Sequence, residues 1–438
     1  MSLSSQQQAV AAAAKAGKNM FVTGSGGVGK TYLLKHMLSN ALRYKHVEVT
    51  AYTGVAALPI DGTTLHSFLG IKPGDYRPQD YVWQARAKRR SKSRIRNAET
   101  LVIDEISMCD AQLLNVADHV MKALRECDKP FGGCQIIALG DFLQLPPPED
   151  DARMCYDSSA WRDAEIGIHQ LTEVFRQKDQ ELIGHLQRVR MGDLSLETIK
   201  YFQSFVRQPA PEDLVTELYA RNTDVNRRNA EELARIDSPV KTYEAVDEGD
   251  FWAVQFLQNN CIAPTELDLK VGARVMLLKN HPKEQLVNGS IGVVTRMEDA
   301  AVSVAFRSRG ETQTVKLEPE EWSYVARGRS EASRMQIPLR LAYAQTIHKS
   351  QGQTLSAALV DMNKIFAKGH GYTGLSRVSG PEGLYLTGFN PFMVKTCQRT
   401  VELYRLIDKS EPGFCLTKTS KSIPLREDYK HPERREEQ

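Results

Sequence analysis

Gly24-Ser25-Gly26-Gly27-Val28-Gly29-Lys30-Thr31 matches the pattern G-x-x-x-x-G-K-[ST], a loop that wraps the phosphates of a nucleoside triphosphate. Each residue type has a physical task. Glycines let successive backbone N–H groups turn inward on anionic oxygens, the Lys30 ammonium reaches the β- and γ-phosphates, and the Thr31 hydroxyl holds Mg²⁺. The flanks supply the context that the loop needs. Met20-Phe21-Val22 is an apolar run of the kind that forms a buried strand, and Leu34, Met37, Leu38, Ala41 and Leu42 recur at helical spacing behind it. Strand, phosphate loop and helix in that order predict an α/β nucleotide-binding core.

At 438 residues the chain is too long for one ordinary core and calls for roughly two to four domains. It has no apolar run of about 18 residues and no charged-then-apolar leader at its start, which predicts a soluble, intracellular protein of cytoplasm, nucleoid or nucleus, with no membrane partner. Seven cysteines without C-x-x-C spacing and ten unclustered histidines argue against structural zinc and a disulfide framework. Net charge is only +3, yet Arg86 to Arg96 holds seven basic residues in eleven. That run is either a solvated loop or a phosphate-contacting surface. The polar, proline-containing end of the chain reads as a mobile tail.

The strand-to-helix rhythm continues at Val47-Glu48-Val49-Thr50-Ala51-Tyr52, which opens into Thr53-Gly54-Val55-Ala56-Ala57. Between 59 and 97 it breaks at Pro59, Gly62, Pro73, Gly74 and Pro78, as an insertion would. It resumes at Thr100-Leu101-Val102-Ile103, ending in Asp104-Glu105, and at Gln135-Ile136-Ile137-Ala138-Leu139, ending in Gly140-Asp141. Leu113, Val116, Val120 and Leu124 mark one amphipathic helix between them. A second α/β series follows, with strands at 214–220 and 357–361 and a helix over 224–235. From about 271 to 334 short β-rich pieces at 274–278, 291–296, 302–306 and 314–317 predict a small β-barrel-like insertion.

Asp104 and Glu105 end a buried strand, the edge of an open parallel sheet where ligands bind. Asp104 suits Mg²⁺ and Glu105 suits the attacking water; the plainer alternative is an acidic pair capping the next helix. Gln144, in Gly140-Asp141-Phe142-Leu143-Gln144-Leu145-Pro146-Pro147, follows a third such strand, where an amide can sense a γ-phosphate. Arg176 and Arg377 are candidate arginine fingers from the second core, although by position alone each reads first as a surface arginine.

The ordered set Gln7, Gly24 to Thr31, Thr53 to Ala57, Gly62-Thr63-Thr64-Leu65-His66-Ser67-Phe68, Asp104-Glu105, Gly140 to Pro147, Arg176, Thr346-Ile347-His348-Lys349-Ser350-Gln351-Gly352 and Arg377 resembles the superfamily-one DNA helicases. More narrowly it resembles their Pif-type (petite integration frequency) branch, through Pro130-Phe131-Gly132-Gly133-Cys134-Gln135, Leu286-Val287-Asn288-Gly289-Ser290 and Ile337-Pro338-Leu339. Two features depart from that pattern. Thr373-Gly374 replaces a bulkier β-branched residue and alanine, and Asn115 and His119 stand at helix positions expected to be more apolar or acidic.

The resemblance implies ATP-driven, Mg²⁺-dependent translocation 5′-to-3′ on single-stranded DNA by a monomer, with unwinding of duplex, forked or structured DNA, G-quadruplexes included, in replication, repair, recombination or telomere maintenance. Replication or repair proteins would be its partners. It implies that Gln7 reads the adenine, that Lys30, Asp104, Glu105, Gln144, Arg176 and Arg377 carry the chemistry, and that Thr53, His66, Phe68, Asn280, His348 and Lys349 line a DNA groove. A hydroxyl, imidazole or ammonium suits phosphate, and an aromatic ring suits a base, but Phe68 reads equally as a core residue. Two other readings stay open: an ATP-dependent switch or clamp on nucleic acid, and a RecD-like subunit of a larger complex. The fold expected is α/β, two RecA-like P-loop NTPase cores with a small insertion in each, the second β-rich and SH3-like. Its boundaries are 1–58 and 98–165 for the first core, 59–97 for an inserted wedge, 166–270 and 335–405 for the second core, 271–334 for the β-rich insertion, and 406–438 for the tail.

Overall fold

The computed structural model describes residues 3–416 apart from 58–59, 73–77, 149–151, 211–214, 280, 282, 285, 287–289, 309–310 and 327–328. The P-loop strand Met20–Thr23 lies near the middle of a seven-stranded sheet. In order, the strands are Phe414–Cys415, Gly167–Gln170, Met20–Thr23, Gln135–Gly140, Thr100–Asp104, Val47–Ala51 and Thr63–Thr64. All but Phe414–Cys415 pair in parallel. Gln135–Gly140 and Thr100–Asp104 are buried along their whole length, which is why they read as unbroken apolar runs rather than as alternating strands. The register Thr23↔Gly140 and Ile103↔Ala138 brings the ends of three strands level. The P-loop, Asp104-Glu105 and Asp141 therefore leave the sheet along one edge.

The segment expected as an inserted wedge holds three helices, Leu65–Leu69, Pro78–Ala87 and Arg89–Asn97. Their Leu65, Phe68, Tyr81, Ala85 and Ile95 join the same buried cluster as Leu114, Ala117 and Val120 of the helix Ala111–Arg125. The basic run thus spans the end of one helix and most of the next, with a break at Lys88, and part of it faces inward. Arg94 is buried and pairs with Glu48 at 2.5 Å, and the Arg96 Nε donates to the Leu124 carbonyl at 2.8 Å. Arg86, Lys88 and Arg89 stand exposed.

A second, four-stranded parallel sheet runs Ala344–Thr346, Thr216–Tyr219, Ala358–Val360, Leu384–Leu386. Two segments expected in this core or beyond it belong to the first. Gly167–Gln170 hydrogen-bonds to the P-loop strand, so the first sheet extends past 165. The helix Gln398–Ile407 buries Val401, Leu403, Tyr404 and Ile407 in the first core's cluster, and Phe414–Cys415 adds an antiparallel edge to its sheet. The stretch read as tail from 406 therefore begins as packed structure: Ile407 and Leu416 are buried, and the polar residues that suggested a tail come after them.

The β-rich insertion is a five-stranded antiparallel sheet, ordered Glu311–Leu317, Val302–Ser308, Ile291–Met297, Arg274–Leu277, Leu339–Leu341. In a separate three-stranded sheet Arg329–Gln336 lies between Glu320–Ala326 and Val246–Gly249 and pairs with both. Their charged residues hide the strand signal. Arg334, for example, is buried by a two-pronged pair to Asp247, both bonds 2.7 Å. Among the described residues no helix is long and apolar enough to cross a membrane.

Candidate active site between the two cores

The P-loop turns through positive φ at Gly24, Gly27 and Gly29 (148°, 93° and 79°). At Gly27 glycine is required twice over, because a Cβ there would also lie 2.5 Å from the Arg176 Cβ. Lys30 opens the helix Lys30–Ser39 and folds over its own loop, its Nζ donating to the Gly24 carbonyl at 2.7 Å and the Ser25 carbonyl at 3.2 Å. Burial pulls the ammonium's pKa down, opposed chiefly by the charges of Asp141 and Glu105. Thr31 is exposed on the first turn of that helix. Gln7 is buried beside the loop, held by a capping box with Ser4, and its Nε2 reaches the Val28 carbonyl at 3.5 Å.

Asp104 is the last residue of its strand, and Glu105 sits at φ 50°, ψ 44°, a left-handed conformation rare outside glycine. The Glu105 N–H donates to Asp104 Oδ1 at 2.9 Å, so the two carboxyl groups share one corner. Burial raises the Asp104 pKa to about 6, and burial together with the Asp104 charge raises that of Glu105 to about 7. A corner that disfavours its own negative charge favours a cation. The hard oxygens of Asp104 and Thr31 fit Mg²⁺, which takes few protein ligands beside phosphate and water. Among the described residues there is no group of three or more His, Cys, Asp or Glu side chains that could hold a metal ion.

Arg377 is 1% exposed. Its Nε donates to the Thr373 carbonyl at 2.8 Å, its Nη2 to Ser376 Oγ at 2.8 Å and its Nη1 to the Ser350 carbonyl at 3.3 Å. Arg176 donates from Nε to Thr354 Oγ1 at 2.9 Å and from Nη1 to the Ser376 carbonyl at 3.0 Å. Both reach the P-loop: a Cβ on Gly26 would lie 3.1 Å from Arg377 Nη2 and 3.2 Å from Arg176 Nη1. Burial lowers the pKa of each guanidinium, and in Arg176 the Arg377 charge lowers it further. Two crowded cations beside inward-facing amides make a site for a polyanion. The expectation that the second core supplies Arg176 is corrected. It hangs from the connection leaving the first-core strand Gly167–Gln170 and grips the second core from there.

Gln144 points at Asp141, its Nε2 donating to Oδ2 at 3.3 Å. Asp141 in turn accepts from Arg190 Nε at 2.9 Å and Nη2 at 2.8 Å, with both side chains buried. Arg190 ends the helix Gln180–Arg190, whose Leu182, Leu186 and Val189 pack in the second core. This ion pair across the cores gave no sequence signal at its arginine, and Asp141 stood only as context for Gln144. Gln351, inside a quoted motif but without an assigned role, and Tyr372, just before the departing Thr373-Gly374, also reach the first core. Tyr372 accepts a bond from the Gly26 N–H at 2.9 Å, and Gln351 Nε2 donates to Glu105 Oε2 at 2.8 Å. At Gly369, φ 76°, the backbone approaches so closely that a Cβ would lie 1.9 Å from the Gln144 carbonyl oxygen.

Of the residues expected along DNA, His348 and Lys349 are exposed. Thr53 accepts from the Ala56 N–H at 3.2 Å, starting the short helix Gly54–Ala57. His66 sits edge-on to Tyr52, centroids 6.3 Å apart, with its pKa lowered by burial. Phe68 is corrected: it is fully buried in the first core, with the Arg94 guanidinium 5.4 Å from its ring, and offers no face to a base. Asn280 lies outside the described residues. The departures from the family pattern have local explanations. A Cβ at Gly374 would lie 2.8 Å from Val360 Cγ1, and Asn115 Oδ1 accepts from the Ala160 N–H at 3.0 Å, holding the start of the helix Ser159–Asp163. His119 is exposed.

Residues 2–197 match the family model described as PIF1-like helicase, and residues 254–297 match DNA helicase Pif1, 2B domain. The crystal structure of Pif1 helicase from Candida albicans is 37% identical and matches at a TM-score of 0.77, over 93% of this chain and 100% of that one. The chain belongs to the Pif1 helicase family. Human ATP-dependent DNA helicase PIF1 is 38% identical over 415 residues, covering 92% of this chain and 63% of the human protein. The chain thus spans somewhat less than two thirds of the length of the curated relative. Bacteroides sp Pif1, 27–28% identical over 95% of this chain and 99–100% of its own, matches at a TM-score of 0.82 both unliganded and with ADP-AlF4. Bound to ssDNA, at 28% identity over 95% of this chain and 100% of its own, it matches at 0.68. The Pif1 2B match begins at 254, upstream of the 271 at which the β-rich insertion was expected.

Proposed function

We propose that this chain is an ATP-dependent DNA helicase that translocates 5′-to-3′ on single-stranded DNA and opens duplex, forked or structured DNA ahead of it. The observation that carries the reading is the placement of Arg176 and Arg377 against the P-loop, each bonded to the second core. In a Pif1-family chain, that geometry makes ATP hydrolysis depend on how the cores sit together. Both halves of the site lie on one chain, so a monomer suffices.

ATP replaces the internal partners of the loop. Lys30 leaves the Gly24 and Ser25 carbonyls for the β- and γ-phosphates, and the Gly26 N–H exchanges the Tyr372 hydroxyl for a phosphate oxygen. Thr31 and Asp104 would hold Mg²⁺, which would supply neutralising charge beside the phosphates. Glu105 orients the attacking water and takes its proton, while Gln144 senses the γ-phosphate. As the bond to the β,γ-bridging oxygen breaks, Arg176 and Arg377 stabilise the charge on the transferred group. ADP and phosphate leave, the guanidiniums lose their partner and the cleft relaxes. His348 and Lys349, on the second core, grip DNA phosphates in step with that motion.

Forked substrates test the reading. A fork with a 5′ single-stranded tail is opened in the presence of ATP, and one with only a 3′ tail is not. Arg377→Ala binds ATP but hydrolyses it about 10³- to 10⁵-fold more slowly. DNA-stimulated hydrolysis without strand separation would favour a switch or clamp instead.

A further inference from the structure

The turn Thr346–Gly352 carries the exposed His348 and Lys349, and it is tightly built. The Ser350 N–H donates to the Thr346 carbonyl at 3.0 Å, the Gln351 N–H to the His348 carbonyl at 3.2 Å, the Lys349 N–H to Thr346 Oγ1 at 3.2 Å and the Ser350 Oγ to the Ile347 carbonyl at 2.7 Å. Two successive residues of this turn hold two catalytic groups. The Ser350 carbonyl accepts from Arg377, and the Gln351 amide donates across the cleft to Glu105. Beyond them Gly352, at φ 77°, has open space where a side chain would project.

We propose that Gln351 is a positioning residue that restrains Glu105 until the turn takes hold of DNA. An amide bonded to Oε2 fixes the carboxylate's orientation and occupies a lone pair that a water hydrogen needs. Because Gln351 is two residues from Lys349 in a turn cross-braced by its own hydrogen bonds, a phosphate drawn to Lys349 moves the amide with it. The carboxylate is then released toward water, and the Ser350 carbonyl shifts against Arg377 in the same displacement. DNA stimulation of hydrolysis is, on this view, mainly the removal of an internal restraint. The inference rests on the helicase reading above.

The test is steady-state ATP hydrolysis by the full chain, with and without saturating oligo(dT) at fixed salt, for the wild type, Gln351→Ala and Gln351→Asn. Asparagine keeps the amide but is one methylene too short to span the cleft. Both variants should raise the DNA-free kcat about tenfold, the worth of one hydrogen bond to a charged group. The DNA-saturated kcat, the KM for ATP and the oligo(dT) affinity should stay within about twofold of the wild type. Proportional loss of both rates, or an unchanged ratio of stimulated to basal rate in variants that bind oligo(dT) normally, overturns the proposal and leaves the helicase reading standing. A wild type whose hydrolysis ignores DNA overturns both.

Discussion

Arg190→Met tests whether the Asp141–Arg190 pair is a fixed brace between the cores. Asp141 is 0% and Arg190 4% exposed, and the guanidinium makes two bonds to the carboxylate at 2.9 and 2.8 Å while lying 4.3 Å from the Tyr404 ring centroid. Methionine fills much of the volume but leaves Asp141 no cationic partner bonded to it, with the Leu143 N–H at 3.2 Å, Gln144 Nε2 at 3.3 Å and the Tyr404 hydroxyl remaining. Removing one partner of such a buried pair costs about 3–5 kcal/mol, most of it the stranded charge. Asp141→Asn with Arg190→Met removes that charge, so the double variant should recover at least about 1.5 kcal/mol relative to the sum of the singles. Arg190 holds the Asp141 pKa below the usual carboxylate value against the opposing effect of burial. The contribution is therefore complete above about pH 4 and is lost as pH falls through the depressed value. In the variant burial is no longer offset by Arg190 and raises the Asp141 pKa, so the gap between wild type and variant should widen as pH rises through that raised value. Urea unfolding followed by tryptophan fluorescence and circular dichroism measures it. A loss below about 1 kcal/mol, or strictly additive effects, would refute the brace.

Three further outcomes follow from the same geometry. Tyr372→Phe removes the hydroxyl that engages the Gly26 N–H; a fluorescent ADP analogue should bind roughly two- to tenfold more tightly, and weaker binding counts against the exchange proposed for that amide. Arg94→Met breaks the buried contact with Glu48 and should cost about 2–4 kcal/mol in urea unfolding without changing the salt dependence of oligo(dT) affinity; a slope reduced by about one would return Arg94 to the phosphate-contacting residues. Glu105 has a folded pKa of about 7 against an ordinary 4.5. Its destabilising effect is absent below the ordinary value and complete once pH passes the folded one, so Glu105→Gln should gain on the order of 1–3 kcal/mol at pH 8 and nothing near pH 4.5. Equal melting shifts at both pH values would contradict this.

The legible parts of this molecule are those whose signal is local. The P-loop and the strands ending in Asp104 and Gly140 are continuous runs buried on both faces, and the sequence alone orders them correctly along one edge. Membership of a returning element in one core or the other is not local. Gly167-Ile168-His169-Gln170 has little strand character until Met20–Thr23 lies beside it, and the apolar stripe of Gln398–Ile407 is equally suited to either core. Phe68 shows the converse limit: an aromatic residue in a motif expected along DNA has the same letter whether it faces a base or, as here, the Arg94 guanidinium. The contacts that couple the cores were least legible, because their partners lie 49, 246 and 346 residues apart in Asp141–Arg190, Glu105–Gln351 and Gly26–Tyr372.

Those contacts fall into two chemical kinds. Asp141–Arg190 is charge against charge in a buried place, so neither group gains by exchanging its partner for a nucleotide or for water. The other groups at the cleft are held by weaker substitutes. Lys30 rests on two neutral carbonyls, the Gly26 N–H on a phenol, and Arg377 on carbonyls and a hydroxyl. A triphosphate offers each of them an ionised acceptor, roughly twice as strong. On the proposed reading, binding energy is therefore available to move Tyr372, Ser350 and their turns while the Asp141–Arg190 pair stays made. The replaced partners belong to the second core or to the loop itself, so on that reading filling the site would displace groups of the second core. A P-loop whose amides and lysine faced solvent would bind the same phosphates without moving anything.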